Sequence, residues 1–407
     1  MSAPLHGQVG SFWFSKQNAL SFDATNETVT IPDSTSINIT SDMTLEVWCN
    51  IDTGGYNDFI VAKGDPATEP GWALMVLTSD ARFVMNNVAE TQAQSTTKIN
   101  TGEWTHLVGT IEGVLPVIYV NGELENSGSG DLGSFTNTSD LIFGATSAAT
   151  GTTKIGVVRL FDRAATGAEV SDLYSGKFPR TTLFDALKAE WLFTEGTGTN
   201  LTDAGKNAQD GTIANATWVS TTYDTATAEA VGTGDGTTTA FSLDNENVED
   251  GTGLAVTVGG VTKTKGNDFT ITPKGTITFS TAPANLAAVI ANYRYYPMTL
   301  EAGGFLNWST DLSCDTPETT EFRNTGWRSY VAGLKGFSGT ADRHWLNPLN
   351  GLLSKKCILR LYTDVDNDTY LTGWGIINGL NPSIAVDALV DESVSFQGTG
   401  TIGTETT

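Results

Sequence analysis

Phe305-Leu-Asn-Trp-Ser-Thr-Asp-Leu312 alternates, with Leu306, Trp308 and Leu312 on one side and Asn307, Ser309 and Asp311 on the other. A period of two belongs to a β-strand with one dry face. The pattern resumes over 337–345 and 358–363. It returns after the acidic turn Asp364-Val-Asp-Asn-Asp368, where Tyr370, Thr372, Trp374 and Ile376 share a face, and again over 384–388 and 394–396. Between the first two strands lies Gly326-Trp-Arg-Ser-Tyr-Val-Ala-Gly-Leu-Lys-Gly336, a glycine-flanked loop whose Trp327, Tyr330 and Leu334 have no strand to belong to. Residues 349–356 read as the one fair helix of this half. Residues 401–407 read as a flexible tail.

Working back toward the N-terminus, 240–243, 254–258 and 261–264 read as strands, the last two joined at Gly259-Gly260. Residues 269–271 and 277–279 form a second pair, and 289–296 closes the segment. This segment reads as the front half of the module that continues to 400. Residues 221–235 are small and polar, a linker by composition.

The first half holds many short strands at even spacing, which argues for a sandwich or jelly roll. Pro116-Val-Ile-Tyr-Val-Asn-Gly-Glu-Leu124 carries the clearest local signal. Asn121-Gly122 between apolar alternations predicts a type I′ hairpin, whose two central residues need positive φ. Thr166-Gly-Ala-Glu169 is a capping box that opens a short helix over 170–174, stopped at Gly176.

Composition agrees with an all-β protein. Charged residues make up only 17%, and Gly, Thr, Ser and Asn abound. Ten Trp, ten Tyr and eighteen Phe supply too much apolar surface for disorder. At about 150 residues per domain, 407 residues make two or three. The net charge is −24. That surface repels phosphate and excludes a grip on nucleic acid or an anionic membrane. It serves solubility, or it keeps a conduit wall from sticking to DNA, and the sequence leaves both open. Cys49, Cys314 and Cys357 lie far apart without CxxC spacing and read as free buried thiols. The N-terminus lacks the charge and apolar run of a signal peptide, and no run approaches the roughly 18 apolar residues of a membrane span.

Two resemblances organise these readings. Leu20-Ser-Phe-Asp23, Thr44-Leu-Glu-Val-Trp48, Gly102-Glu-Trp-Thr-His-Leu107, Ile118-Tyr-Val-Asn-Gly122 and Ile155-Gly-Val-Val-Arg-Leu-Phe-Asp-Arg-Ala164 resemble the laminin-G/concanavalin-A-like family over 19–180. Ala189-Glu-Trp-Leu-Phe193, Asp210-Gly-Thr-Ile213 and Trp218 look like the strands that usually open such a jelly roll. Here they come last, which implies a circularly permuted domain with adjacent ends, suited to insertion. The second resemblance rests on the order of Gly326–Gly336, Phe337-Ser-Gly339, the Asp-rich hairpin and Val394-Ser-Phe-Gln-Gly-Thr-Gly400. It is to the tail tube proteins of tailed bacteriophages, small β-sandwiches with one short helix. It spans 298–400 and extends to 236–297 and 1–14.

The expected architecture is therefore an all-β chain: a laminin-G-like jelly roll (15–220), a linker (221–235) and a tail tube β-sandwich (236–400) whose first strand is 1–14. What the tube resemblance implies is a structural protein of the virion tail, assembled in the host cytoplasm. It would form stacked rings, hexameric as in that family, around a DNA channel. Its partners would be copies of itself, other tail proteins and genomic DNA passing through the lumen without specific binding. Trp327, Tyr330 and Leu334 would mediate assembly. The jelly-roll resemblance implies an external domain that touches host-surface glycans, with Tyr56 as the aromatic that stacks on a sugar. The alternative is a glycan-binding adhesin or lectin that forms no tube.

No enzyme is expected. Glycosidases of the concanavalin-A-like fold carry Glu-x-Asp-x-Glu on one strand, bringing two carboxylates about 5–5.5 Å apart for retaining chemistry. No such triplet occurs in 19–220. Asp244-Asn-Glu-Asn-Val-Glu249 is the nearest carboxylate cluster and lies outside the jelly roll. His6, His106 and His344 have no acidic partner at a recognisable spacing. The turn at Asp364 fails as a calcium loop, with Thr369 at position six and Gly375 at position twelve. No cofactor is expected, and calcium, which such jelly rolls sometimes use, has no motif here.

Overall fold

A computed structural model describes residues 11–406 apart from 16–17, 24–25, 53–57, 65–69, 86–91, 114, 129–134, 145–150, 177–181, 221–222, 250, 252, 298, 303–304, 321–326, 345–352, 365–368 and 384–390. The chain divides into two compact units, Lys16–Thr222 and Met1–Ser15 with Tyr223–Thr407.

Lys16–Thr222 is a jelly roll of two antiparallel sheets. The first runs Glu123–Ser127, Leu115–Val120, Trp104–Glu112, Met43–Ile51, Thr153–Phe161, Asn18–Phe22 and Thr217–Ser220, with Leu187–Trp191 also paired to Thr153–Phe161. The second runs Asn200–Leu201, Gly211–Ala214, Thr28–Ile31, Leu141–Phe143, Asp58–Lys63, Trp72–Leu77, Asp80–Met85 and Gln92–Lys98. Alternation decides what enters the core between them. From Met43–Ile51 come Met43, Leu45, Val47, Cys49 and Ile51; from Asp80–Met85 come Ala81, Phe83 and Met85. The hairpin at Asn121 (φ 50°) and Gly122 (φ 83°) forms as the sequence predicts. So does the helix Gly167–Tyr174, whose capping box is complete. The strands that come last pair with the strands that come first: Thr217–Ser220 with Asn18–Phe22, and Gly211–Ala214 with Thr28–Ile31.

The other unit holds a seven-stranded antiparallel sheet in the order Thr299–Ala302, Ser11–Ser15, Lys356–Asp364, Thr369–Ser383, Asp391–Thr406, Lys335–His344, Phe305–Cys314. Its outermost strands are joined by residues 303–304 alone. Three Cα–Cα steps reach at most about 11 Å, whereas seven flat strands would part their edges by about 29 Å. The sheet therefore curls on itself around Phe305, Phe337, Leu359, Leu361, Ile377 and Phe396.

Several expectations change here. Residues 224–295 do not supply front strands to this sheet. They form a four-stranded and a three-stranded sheet with a core of their own, including Val256, Phe269, Ile277, Val289 and Tyr293. The expected linker contributes the strand Asp224–Thr233. Its Thr and Ala residues read as linker by composition, but Thr favours strands, and Ala226 and Val231 pack on the small core. The expected flexible tail is the end of the strand Asp391–Thr406, fastened where Glu405 accepts hydrogen bonds from the Thr272 and Thr276 hydroxyls. Of the expected helix, 349–352 lies outside the described residues, 353–354 is a turn, and Lys356 begins a strand. Leu312 is exposed rather than inward. Cys49 and Cys357 are buried as expected, and burial pushes both thiols up to about 12; Cys314 is exposed.

Candidate functional site

Two features outside the cores have more than a packing role to explain. The first is a charged row on the outer face of the jelly roll's first sheet. On Met43–Ile51 the residues that do not enter the core are Thr44, Glu46, Trp48 and Asn50, yet all are buried. On this face the helix packs Val170 and Leu173 with Val108 and Phe161. Arg159 Nη1 donates to Glu46 Oε2 at 3.0 Å and Arg159 Nε to Glu190 Oε1 at 2.6 Å. His106 Nε2 lies 3.2 Å from Glu46 Oε1. Tyr174, the last helical residue, stacks on Trp48 with centroids 5.8 Å apart and planes 16° from parallel.

This arrangement does not do acid–base chemistry on a sugar. Burial pushes the Glu46 carboxyl up, but Arg159 and His106 outweigh it and hold the group below the usual carboxylate range. A general acid needs the opposite, a carboxyl that keeps its proton near neutral pH. Glu46 is also wholly inaccessible, and Glu190 is tied to the same guanidinium. The row is an electrostatic tie across four neighbouring strands of the sheet. Glu46 and His106, sixty positions apart, are the acidic partnership that spacing along the chain does not reveal. The available signal was that each is a charged or polar residue inside an otherwise apolar strand phrase.

The second feature is an arm on the curled sheet. The hairpin of Phe305–Cys314 and Lys335–His344 continues past the sheet through Asp315 N–H to Leu334 O, Val331 N–H to Pro317 O and Thr319 N–H to Ser329 O. It presents Leu312 (63% exposed), Trp327 (80%) and Leu334 (81%), with Tyr330 and Val331 about half exposed. The three predicted assembly residues thus share one projecting element. Within 312–335 three acidic residues meet three basic ones, so the arm is neutral on a chain of net charge −24. Five large apolar side chains are thus exposed on one neutral element. Tyr56, the predicted sugar-stacking aromatic, lies outside the described residues. Among the described residues no cluster of three or more metal-ligating side chains occurs, and no helix is long and apolar enough to cross a membrane.

With this geometry in view, comparison with known proteins places the first unit. A family model described as Laminin_G_3, the concanavalin A-like lectin/glucanases superfamily, matches residues 23–171. No curated protein matches the chain. Among solved structures, the chain is similar to a putative carbohydrate binding protein from Bacteroides ovatus, with 18% identity and a TM-score of 0.39, covering 51% of this chain. It spans 60% of that protein's length. It is similar to the heptameric SAP-like pentraxin of Limulus polyphemus at 14% identity and TM-score 0.32, over 41% of this chain and 85% of that one. A botulinum neurotoxin serotype D/C binding domain shows 9% identity and TM-score 0.31, over 93% of this chain and 85% of that one.

Proposed function

We propose that this protein binds carbohydrate through its jelly roll without cleaving it, and that the second unit displays the jelly roll. One observation carries the reading: residues 23–171 match the concanavalin A-like lectin/glucanase model. The geometry of Glu46, buried and held ionised by Arg159, speaks for binding rather than hydrolysis. Labelled full-length protein applied to a glycan array should be retained by at least one glycan class and should release no reducing sugar. Absence of retention on every glycan, or sugar release abolished by Glu46→Gln, sinks this reading.

A second reading is favoured by the arm. A neutral apolar hairpin on an acidic chain suits contact between like-charged copies, and the C-terminal motifs resemble those of tail tube proteins. On this reading the chain is a tail tube subunit of a bacteriophage virion. It is assembled in the host cytoplasm into stacked rings with copies of itself and other tail proteins, and genomic DNA passes through the lumen. Negative-stain micrographs of concentrated protein should then show hollow filaments. A monodisperse monomer at high concentration rules the tube out and leaves the lectin.

A further inference from the structure

One cation of the jelly roll stands apart from the rest. Every other described Lys or Arg of Lys16–Thr222 contacts a carboxylate or a main-chain carbonyl. Arg82 has no ion pair among the described residues, and its buried Nε has no hydrogen-bond partner. Such a donor is costly to bury and calls for an acceptor. The carboxylate two residues away, Asp80, is already engaged by Lys98 and by the Gln94 amide.

The surroundings of Arg82 follow from register. Ala81, Phe83 and Met85 enter the core, so Arg82 and Val84 face outward from the second sheet. Met75 lies opposite Arg82 on one neighbouring strand and Gln94 on the other. Phe59 lies opposite Met75. One face of four adjacent strands thus carries the row Phe59, Met75, Arg82, Gln94, about 14 Å long at the usual strand spacing. The parallel row beside it is Ala62, Ala73, Val84 and Gln92, with Ala62 and Ala73 buried, while Phe59, Met75, Arg82 and Gln94 are each partly exposed.

We propose that this row is a subsite for an acidic oligosaccharide. The Arg82 guanidinium receives a carboxylate or sulfate through its planar fork of donors. Phe59 and Met75 underlie the apolar face of the neighbouring ring, and Gln94, oriented by Asp80, meets a hydroxyl. The general field of a −24 chain repels long polyanions such as nucleic acid, so one unpaired arginine in an apolar row suits a short acidic sugar. The assignment rests on the carbohydrate reading above and adds the charge class of the ligand.

The test uses the full chain and a panel of uronate, sialate and sulfated oligosaccharides, each beside its carboxyl-reduced or desulfated partner. Wild-type protein should bind an acidic member at least tenfold tighter than its neutral partner. Arg82→Gln should erase that preference with an unchanged melting temperature, and Arg82→Lys should keep part of it. The uronate and sulfate arms identify which anion is taken. If Arg82→Gln leaves the acidic-to-neutral ratio unchanged, or neutral sugars are preferred, the charge assignment falls and the carbohydrate reading stands. If neither form binds any saccharide, the carbohydrate reading falls and takes this subsite with it. Binding of an acidic peptide in place of every saccharide also overturns the assignment.

Discussion

Asn18 pairs with Ser220, so the first and last strands of the jelly roll run side by side and the chain enters and leaves this unit at one edge. Directly opposed residues in antiparallel strands sit about 4.5–5.5 Å apart. A short Gly/Ser linker replacing 17–221 should therefore leave the other unit folded. Circular dichroism and a cooperative melt of the shortened chain check this; an unfolded or aggregated product refutes it.

Arg159 pairs with two buried carboxylates at once. Replacing it with Met leaves Glu46 and Glu190 facing each other without a cation. Removing one partner of a buried ion pair costs about 3–5 kcal/mol. Chemical denaturation should place Arg159→Met in that range, and a loss below roughly 1 kcal/mol would show that water reaches the row.

Glu125 joins the edges of the two jelly-roll sheets by accepting hydrogen bonds from Thr96 N–H, Thr97 N–H and the Thr96 hydroxyl. Burial pushes its carboxyl up, but these bonds prevail and lower it to about 2. The group is charged more easily folded than unfolded. Its contribution is thus present above the ordinary value of 4.5 and fades as pH falls toward 2. Urea midpoints of wild type and Glu125→Gln should differ most at pH 6, and the gap should shrink steadily as pH falls from 4.5 toward 2. A gap that persists at low pH contradicts the assignment.

Glu405 fastens the last strand to the small sandwich through Thr272 and Thr276. Deleting 401–407 should lower the melting temperature of the second unit and raise amide exchange across 269–279. Unchanged exchange there would return this segment to the role of a tail.

Trp327 and Leu334 are mostly exposed and support no core. The double change to Ala should leave the melting temperature within about the ±0.5 kcal/mol typical of surface substitutions. It should weaken any self-association seen by sedimentation. Raising salt, which screens repulsion between chains of charge −24, should strengthen association of the wild type. Maleimide coupling at Cys314, the exposed thiol at the base of the arm, should block it. Association untouched by all three would remove the arm from assembly.

The sequence by itself determined what is local. The Asn121-Gly122 turn and the Thr166–Glu169 capping box are set by backbone sterics within a few residues, and each appears where it is read. The exposure of Trp327, Tyr330 and Leu334 also follows from their place in a glycine-flanked loop outside any strand. Tertiary structure alone decided which strands meet. Composition made 221–235 a linker and 401–407 a tail, because Gly, Thr and Ala carry little apolar signal of their own; pairing with Ala288–Tyr295 and Thr369–Ser383 gives 224–233 and 401–406 strand form. Glu46, His106 and Arg159 come from three separate strands, and only the register of neighbouring strands sets them on one face. Register is fixed by packing a shared core across long sequence separations, which no window along the chain can contain.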